Sequence, residues 1–294
     1  MKNILVVTGG AGFVGSNLIQ ELVKIKKYKI LSLDNYSSGK RQNHIKSSRV
    51  KYFKGDTKNI SIILKKYKDK IHTIFHFGEF ARIFQSFKKF KECFDSNIIG
   101  TTELFKFTLE NKIKLIYSAT SASLGKNGKD MNLSPYAFTK AKNLELLENL
   151  KKWFNLNCQI IYFYNVYGPR QICKGDMATV VGIFEDHFKN KKPLPVVKPG
   201  TQTRKFTHIL DTVNACLVVW KKNNNAHYSV ASSQSFSINQ LAKMFNYRTR
   251  YLPKREGERF SSALIKMNLN NKIIRLKAKI KIKDYIKIFL EKTI

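Results

Sequence analysis

The stretch Asn3-Ile-Leu-Val-Val-Thr-Gly-Gly-Ala-Gly-Phe-Val-Gly15 decides how the rest of the chain is read. It opens with a short β-branched apolar run, the pattern of a strand buried on both faces of a parallel sheet. Glycines follow at once: Gly9, Gly12 and Gly15 make GxxGxxG, and Gly10, Gly12 and Gly15 also satisfy GxGxxG. Residues 16–23 carry helical periodicity, and Lys29-Ile-Leu-Ser-Leu-Asp34 supplies a second strand that completes a β-α-β unit. Glycine is needed in such a turn because the chain bends sharply and its backbone must come close to a pyrophosphate. The N–H groups and dipole at the start of the helix then face that anion. Asp34 ends the second strand about 20 residues on, where a carboxylate can bind adenosine ribose hydroxyls and repels a 2′-phosphate. Gly9, Gly12, Phe13, Val14, Gly15, Asp34 and Asn35 form the candidate cofactor cradle, and NAD is favoured over NADP.

Outward from this unit the alternation continues. Strands are predicted at 50–53, 73–77, 114–117 and 159–164, with helices near 61–67, 93–111 and 137–154. Strand and helix in turn give the α/β class with a doubly wound parallel sheet. Past 164 the pattern becomes irregular, as Pro169, Pro193, Pro195 and Pro199 break it into shorter elements, which points to a smaller second lobe. Helices there are predicted at 178–189, 209–221 and 238–245. The tail Leu276-Lys-Ala-Lys-Ile-Lys-Ile-Lys283 alternates apolar residues with Lys and fits either a half-exposed strand or a helix edge.

At 294 residues the chain is long enough for one large or two modest domains with a sizeable core. It is 43% hydrophobic and 12% aromatic, yet no stretch approaches the roughly 18 apolar residues of a membrane-spanning helix. A soluble protein with no membrane partner is expected. The four apolar residues 4–7 are too few for a secretory signal, so the expected location is the cytoplasm. Cys93, Cys158, Cys173 and Cys216 are widely spaced without a CxxC pair, which indicates neither a disulfide framework nor a zinc cluster. The one extreme is charge: 54 Lys and Arg against 20 Asp and Glu, a formal +34. Such a balance attracts nucleic acid, anionic membrane or phosphorylated small molecules. Most of these cations are Lys spread from Lys2 to Lys292, whereas a polyanion groove concentrates Arg and aromatics on one element.

Chemistry is offered by Tyr136-Ala-Phe-Thr-Lys140, a YxxxK on a predicted helix, which puts Tyr136 and Lys140 one turn apart on one face. A phenol near its unperturbed pKa of about 10 is a poor base at neutral pH, but a neighbouring ammonium and a positive nicotinamide ring stabilise the phenolate. In a chain this rich in Lys the motif means little alone. About 15 residues upstream, however, Tyr117-Ser-Ala-Thr-Ser-Ala-Ser-Leu-Gly125 ends a predicted strand with a run of hydroxyls. Hydroxyl, Tyr and Lys after the middle strands of a dinucleotide fold make a site for proton and hydride transfer.

These residues resemble the extended short-chain dehydrogenase/reductases of the nucleotide-sugar epimerase/dehydratase group, and most closely its UDP-glucose 4-epimerase-type enzymes. The resemblance covers nearly the whole chain. It runs through Thr8-Gly-Gly-Ala-Gly-Phe-Val-Gly15, Asp34-Asn35, Gly55-Asp56, His76-Phe77, Asn97 with Gly100-Thr101, the hydroxyl strand, YxxxK, Tyr164-Asn-Val-Tyr-Gly-Pro169, Gly200-Thr-Gln-Thr-Arg204 and Arg255-Glu-Gly257. It implies a Rossmann-type NAD domain over 1–165 and a smaller α/β nucleotide-sugar lobe over 166–294, with chain exchange between them. By the same resemblance Asp56 and Thr57 flank the adenine, Phe77 and Gly78 border the cofactor, and Asn97 lies beside it. Thr120 matches the catalytic Ser/Thr, with Ser121 as the other candidate. Asn165, Arg204 and Arg255 match positions that hold the substrate's diphosphate, and Glu258 one that reaches its ribose; the planar fork of Arg suits phosphate oxygens. The resemblance also implies a homodimer, paired through the helices at 93–111 and 137–154.

Within the group, dehydratases and decarboxylases carry an acid directly after the catalytic Ser/Thr; here Ser121-Ala122 follows. The fucose-synthase-like members use a Cys near the hydroxyl strand, and no cysteine lies there. Epimerisation at C4 of a UDP-hexose is thus the favoured reading, with NAD retained as a prosthetic group and Thr120, Tyr136 and Lys140 as the catalytic set. Lys140 is expected to bind the nicotinamide ribose. Tyr167-Gly-Pro-Arg-Gln171 with Lys174-Gly-Asp-Met-Ala-Thr179 also resembles the ADP-heptose 6-epimerase branch, the second enzyme reading. A silent NAD-binding protein using its basic surface for nucleic acid or a partner is the reading outside catalysis, and the intact triplet argues against it. Several positions depart from the group. Leu124 replaces a usual Tyr, Lys198-Pro199 departs beside the base-binding strand, and Gly78-Glu79 stands where small residues are normal. Glu79 is read either as a substrate-selective group or as a buried ion-pair partner, with Arg82 as the candidate cation.

Overall fold

A computed structural model of the chain describes residues 2–121, 131–257 and 273–293. The first strand, β1 (Ile4–Thr8), is buried along its whole length. Its side chains alternate between two cores, Ile4 and Val6 in one and Leu5 and Val7 in the other, as strand geometry dictates for a sheet covered on both faces. The chain continues through α1 (Phe13–Leu22), β2 (Lys29–Asp34), β3 (Val50–Lys54), α2 (Ile60–Ile63) and β4 (Ile71–His76). After α3 (Ile83–Lys88), α4 (Phe90–Phe94) and α5 (Thr101–Glu110) come β5 (Lys114–Thr120), α6 (Pro135–Phe154) and β6 (Cys158–Phe163). These strands pair in parallel in the order β3-β2-β1-β4-β5-β6. The sequence order reverses between β1 and β4, which opens a crevice at the carboxyl ends of the strands.

The predicted helix over 93–111 is not continuous. Between α4 and α5 the chain makes a wide π-type turn, Asp95–Gly100. Asn97 sits in that turn with its amide drawn to the backbone of Phe80, and Gly100 passes so close to Thr57 that a Cβ there would lie 2.3 Å from its hydroxyl. Helix α6 starts where its sequence says it should: the Ser134 hydroxyl accepts from the N–H of Ala137, Pro135 opens the first turn, and Asn155 ends the helix in a left-handed conformation. Tyr136 is therefore fixed in the first turn.

The second half forms β7 (Val166–Tyr167), α7 (Val180–Lys189), β8 (Leu194–Val197), β9 (Thr203–Lys205), β10 (Thr207–His208), α8 (Ile209–Trp220), β11 (His227–Ala231), β12 (Ser235–Ser237), α9 (Ile238–Met244), β13 (Thr249–Leu252), β14 (Ile273–Lys277) and α10 (Ile282–Glu291). Three two-stranded ladders form outside the large sheet, β7 with β10, β8 with β13 and β9 with β12. A third hydrophobic core, beside these ladders, joins Tyr167, Phe184, Leu194, Phe206, Leu241 and Ile286. Strands β11 and β14 instead return to the large sheet beside β6, parallel, and bring it to eight strands. Helix α8 packs on the same face as α1 through Val213, Cys216 and Trp220. The alternating tail thus divides, its first part completing the edge strand β14 and its last residues starting α10.

Among the described residues no helix is long and apolar enough to cross a membrane, no His/Cys/Asp/Glu group could hold a metal, and all four cysteines are free. One buried polar chain ties the returning strand to the sheet. The Tyr162 hydroxyl meets His227 Nδ1 at 3.0 Å, and His227 Nε2 meets Glu148 Oε1 of α6 at 2.8 Å. Burial opposes ionisation of Glu148, but His227 and Lys151 together hold its carboxyl down at about 2. Because this value is depressed, the stabilisation is complete above the unfolded carboxylate range and is lost as pH falls through about 2. Glu148→Gln is expected to cost about 1–3 kcal/mol near neutrality, and the acid limb of its stability curve should flatten relative to wild type, both read from urea melts across pH.

Candidate active site

A cleft of about 520 Å3 opens at the carboxyl ends of the strands and is walled by both halves of the chain. Gly9, Gly12, Phe13, Val14, Gly15, Asp34 and Asn35 all line it. Gly9 adopts φ +68°, and a Cβ there would lie 2.8 Å from the Phe77 backbone; a Cβ on Gly15 would lie 2.3 Å from the Gly9 carbonyl oxygen. The Gly12 N–H donates to that carbonyl at 3.0 Å, and α1 begins one residue later. This is a bare-backbone cradle at a helix N-terminus, as a dinucleotide pyrophosphate requires. Asp34 is mostly buried and accepts from the N–H of Ala11 at 2.9 Å and of Tyr36 at 2.8 Å. Burial pushes its pKa up, and these backbone donors pull the other way.

Thr57, Phe77 and Gly78 also line the cleft, whereas Asp56 and Asn97 do not. The Asp56 carboxylate accepts from the Lys58 N–H and from the Asn35 amide. Asn97 is fully buried, its amide engaged by the Phe80 backbone and, at 3.0 Å, by Thr139 Oγ1. With both ends of that amide occupied, it shapes the wall behind the cleft.

Thr120, Ser121, Tyr136 and Lys140 meet in the same cleft. Burial pushes the Tyr136 phenol up to about 12; a hydrogen bond to Thr120 and the charge of Arg82 work against this, while Glu79 and Cys93 add to it. Of the two candidate hydroxyls, Thr120 is the one engaged with the phenol. Lys140 is buried, and its ammonium donates to Tyr117 Oη at 2.9 Å, to the Ser118 carbonyl at 2.6 Å and to Glu79. All three of its donors are occupied, so holding a ribose hydroxyl requires one of them to exchange. The cation paired with Glu79 is therefore Lys140 and not Arg82. The Arg82 guanidinium instead donates to the Ala81 carbonyl at 2.7 Å and, across 95 residues, to the Met177 carbonyl, joining the wall after β4 to the loop before α7.

On the other side stand Asn165, Arg204 and Arg255. Asn165 holds φ +29° and donates to the Lys205 carbonyl at 3.0 Å; Arg204 rides on β9, and the Arg255 guanidinium lies 5.2 Å from the Phe84 ring. Glu258 and Leu124 lie outside the described residues. Sequence reasoning assigned no role to Gln202, which lines the cleft nearly fully buried and whose amide oxygen has no hydrogen-bond partner. The only sequence sign of it is its place in Gly200-Thr-Gln-Thr-Arg204.

Residues 5–231 match the model of the NAD dependent epimerase/dehydratase family. The chain belongs to this family. It is 27% identical over 275 residues to a putative UDP-glucose 4-epimerase of Methanocaldococcus jannaschii, covering 87% of each chain. It is 29% identical over 267 residues to the UDP-N-acetyl-alpha-D-glucosaminuronate decarboxylase of Bacillus cytotoxicus, covering 83% of this chain and 79% of the other. Among solved structures, the UDP-N-acetylglucosamine 4-epimerase of Methanobrevibacter ruminantium, in complex with UDP-N-acetylmuramic acid, superposes with a TM-score of 0.84 at 28% identity, over 100% of this chain and 98% of that one. The cradle of this family member is open to test by a single methyl. Gly15→Ala drives a Cβ into the Gly9 carbonyl, and NAD affinity measured by calorimetry is expected to fall at least about tenfold.

Proposed function

We propose that this protein is an NAD-dependent nucleotide-sugar epimerase that inverts C4 of a UDP-hexose through a transient 4-keto sugar. One observation carries the reading. The cleft joins a pyrophosphate cradle to the Thr120–Tyr136 contact and Lys140, and the residue after Thr120 is the hydroxyl-bearing Ser121 where a dehydratase or decarboxylase needs an acid. The 4-epimerase names of two relatives agree with it.

NAD supplies the hydride acceptor and donor when bound. Gly9, Gly12 and Gly15 with the start of α1 hold its pyrophosphate, and Asp34 its adenosine ribose. Tyr136 takes the 4-hydroxyl proton and later returns it, with Thr120 orienting the phenol. A phenol held up at about 12 by burial is protonated at rest, so the positive charge that the nicotinamide ring would bring is part of its activation. Arg204 and Arg255 hold the diphosphate, with Asn165 beside them. Gln202 offers its unpartnered amide oxygen to a donor on the nucleotide, since a buried acceptor without a partner is costly. The residues from 166 on that form β7, α7, β8, β9 and α9 serve as the substrate lobe.

We further infer a cytoplasmic homodimer. Four unpaired cysteines fit a reducing compartment. Exposed Phe90 on α4 and Phe138 on α6 flank Phe94, with Phe90 stacked on Phe94 and Phe94 on Phe138, and Trp153 and Phe154 are exposed at the far end of α6.

Screening a nucleotide-sugar panel by NMR, with NAD assayed after denaturation, tests the reaction. C4 inversion of a UDP-hexose is expected; C6 inversion of an ADP-heptose would move the assignment to the second branch. Tyr136→Phe should lower turnover by about 10²–10⁴-fold, and full activity in that variant ends the mechanism. Salt-sensitive oligonucleotide binding with no turnover of any sugar would favour the non-catalytic reading. Sedimentation should show a dimer that Phe90→Glu with Phe138→Glu converts to monomer.

A further inference from the structure

The Lys140 ammonium lies in a part of the protein too dry to hold a lone cation: its side chain is 4% exposed, as is that of Glu79 beside it. Glu79 is gripped from several elements at once. Its Oε1 accepts from Tyr117 Oη of β5 at 3.1 Å, from Thr101 Oγ1 of α5 at 3.2 Å and from the Asn143 amide of α6 at 3.2 Å, while Oε2 accepts from Lys140. The carboxylate thus accepts four hydrogen bonds at the cleft wall, three of them on Oε1, and leaves this position only by breaking them. Around the pair stand His76 at the end of β4, Tyr117 and the Ser118 carbonyl on β5, and Asn143 on α6. Thr120, Arg82 and Cys93 face the neighbouring Tyr136 phenol. Burial keeps His76 neutral, its pKa lowered to about 4, and lifts Tyr117 well above the ordinary phenol. Glu79 is the carboxylate paired with the Lys140 ammonium in this cluster.

We propose that Glu79 is the positioning residue of the active site: its carboxylate, fixed from β5, α5 and α6, keeps Lys140 a charged ammonium at one point a helical turn from Tyr136. This rests on the reading that Tyr136 and Lys140 form the reacting pair. The direction of the titration agrees. Burial lowers the Lys140 pKa, and Glu79 is what opposes it, by both charge and hydrogen bond. Removing the carboxylate leaves desolvation unopposed, so Lys140 loses its proton at lower pH, while the Tyr136 phenol is relieved of the upward push of the Glu79 charge.

The test is the titration of Lys140 in the full-length, NAD-loaded protein, followed by [ε-13C]lysine NMR, with its resonance assigned by loss in Lys140→Met. In Glu79→Gln the midpoint is expected to fall by at least about one pH unit, tenfold in proton affinity. Glu79→Asp, which keeps the charge, should recover at least half of that shift. The alkaline limb of the kcat profile should move the same way while KM for the nucleotide sugar stays within a factor of about two of wild type. A Lys140 midpoint unchanged in Glu79→Gln overturns the proposal. Should Glu79→Gln not fold, urea melts of Lys140→Met and of the double variant decide: the double variant is expected to be the more stable, because it buries no unpaired carboxylate, and the reverse order overturns the proposal. A shifted Lys140 midpoint in a protein that turns over no nucleotide sugar supports the role of Glu79 and sinks the epimerase reading, whereas turnover with an unshifted midpoint does the opposite.

Discussion

The Gly9 carbonyl and the Cα of Gly15 pass so close that no side-chain carbon fits between them, and the geometry of the site follows from that approach. It lets α1 begin directly against the end of β1 and leaves its first N–H groups open to an anion. The same turn presents the Ala11 N–H to Asp34, which fixes the end of β2. Gly9 itself lies against the Phe77 backbone, and the Thr8 hydroxyl accepts from the N–H groups of Phe77 and Gly78, so the end of β4 is registered too. Three strand ends are thereby placed by one backbone contact, and the segment that carries Glu79 starts from the third.

Most of the large sheet was legible because both-face burial gives strands a near-continuous apolar run, and 29–34 matches β2 residue for residue. The glycine cradle and YxxxK were legible for a related reason: their chemistry is local in sequence. What escaped reading was non-local. Asn97 lies in a π-type turn because Phe80 and Thr139 claim its amide, and no helical periodicity reports that. Gln202 gives no sign in sequence that its oxygen is left without a partner. Glu79 was visible as an anomaly, but its partner was not, since Lys140 lies 61 residues away and Arg82, three residues along, was the nearer candidate. The choice between them is made by the approach of α6 to β4 and β5, which only the folded chain shows.

Two buried lysines show how a chain with a formal +34 handles charge that leaves the surface. Lys114 turns its ammonium onto the Trp220 and Lys222 carbonyls and the Asn223 side chain, at the C-terminal end of α8 where helix carbonyls favour a cation. Lys140 meets a carboxylate. The first arrangement needs partial charges alone and seals the end of a helix. The second sets a carboxylate near the Tyr136 phenol, where it adds to the upward push on that group, and the cost of burying both ions is offset by the hydrogen bonds around them.

Strand β14 joins the sheet at residues 273–277, and its neighbour β11 at 227–231, long after β6 has been made. On the ribosome, the flank of β6 therefore emerges as an open row of unpaired N–H and C=O groups, and it stays open while some 60 further residues are synthesised before β11 arrives, several seconds at ordinary elongation rates of roughly 5–20 residues per second. During that interval the nascent chain carries a flat, apolar edge able to pair with any neighbouring strand. The dense positive charge on such a chain repels its copies on the same polysome.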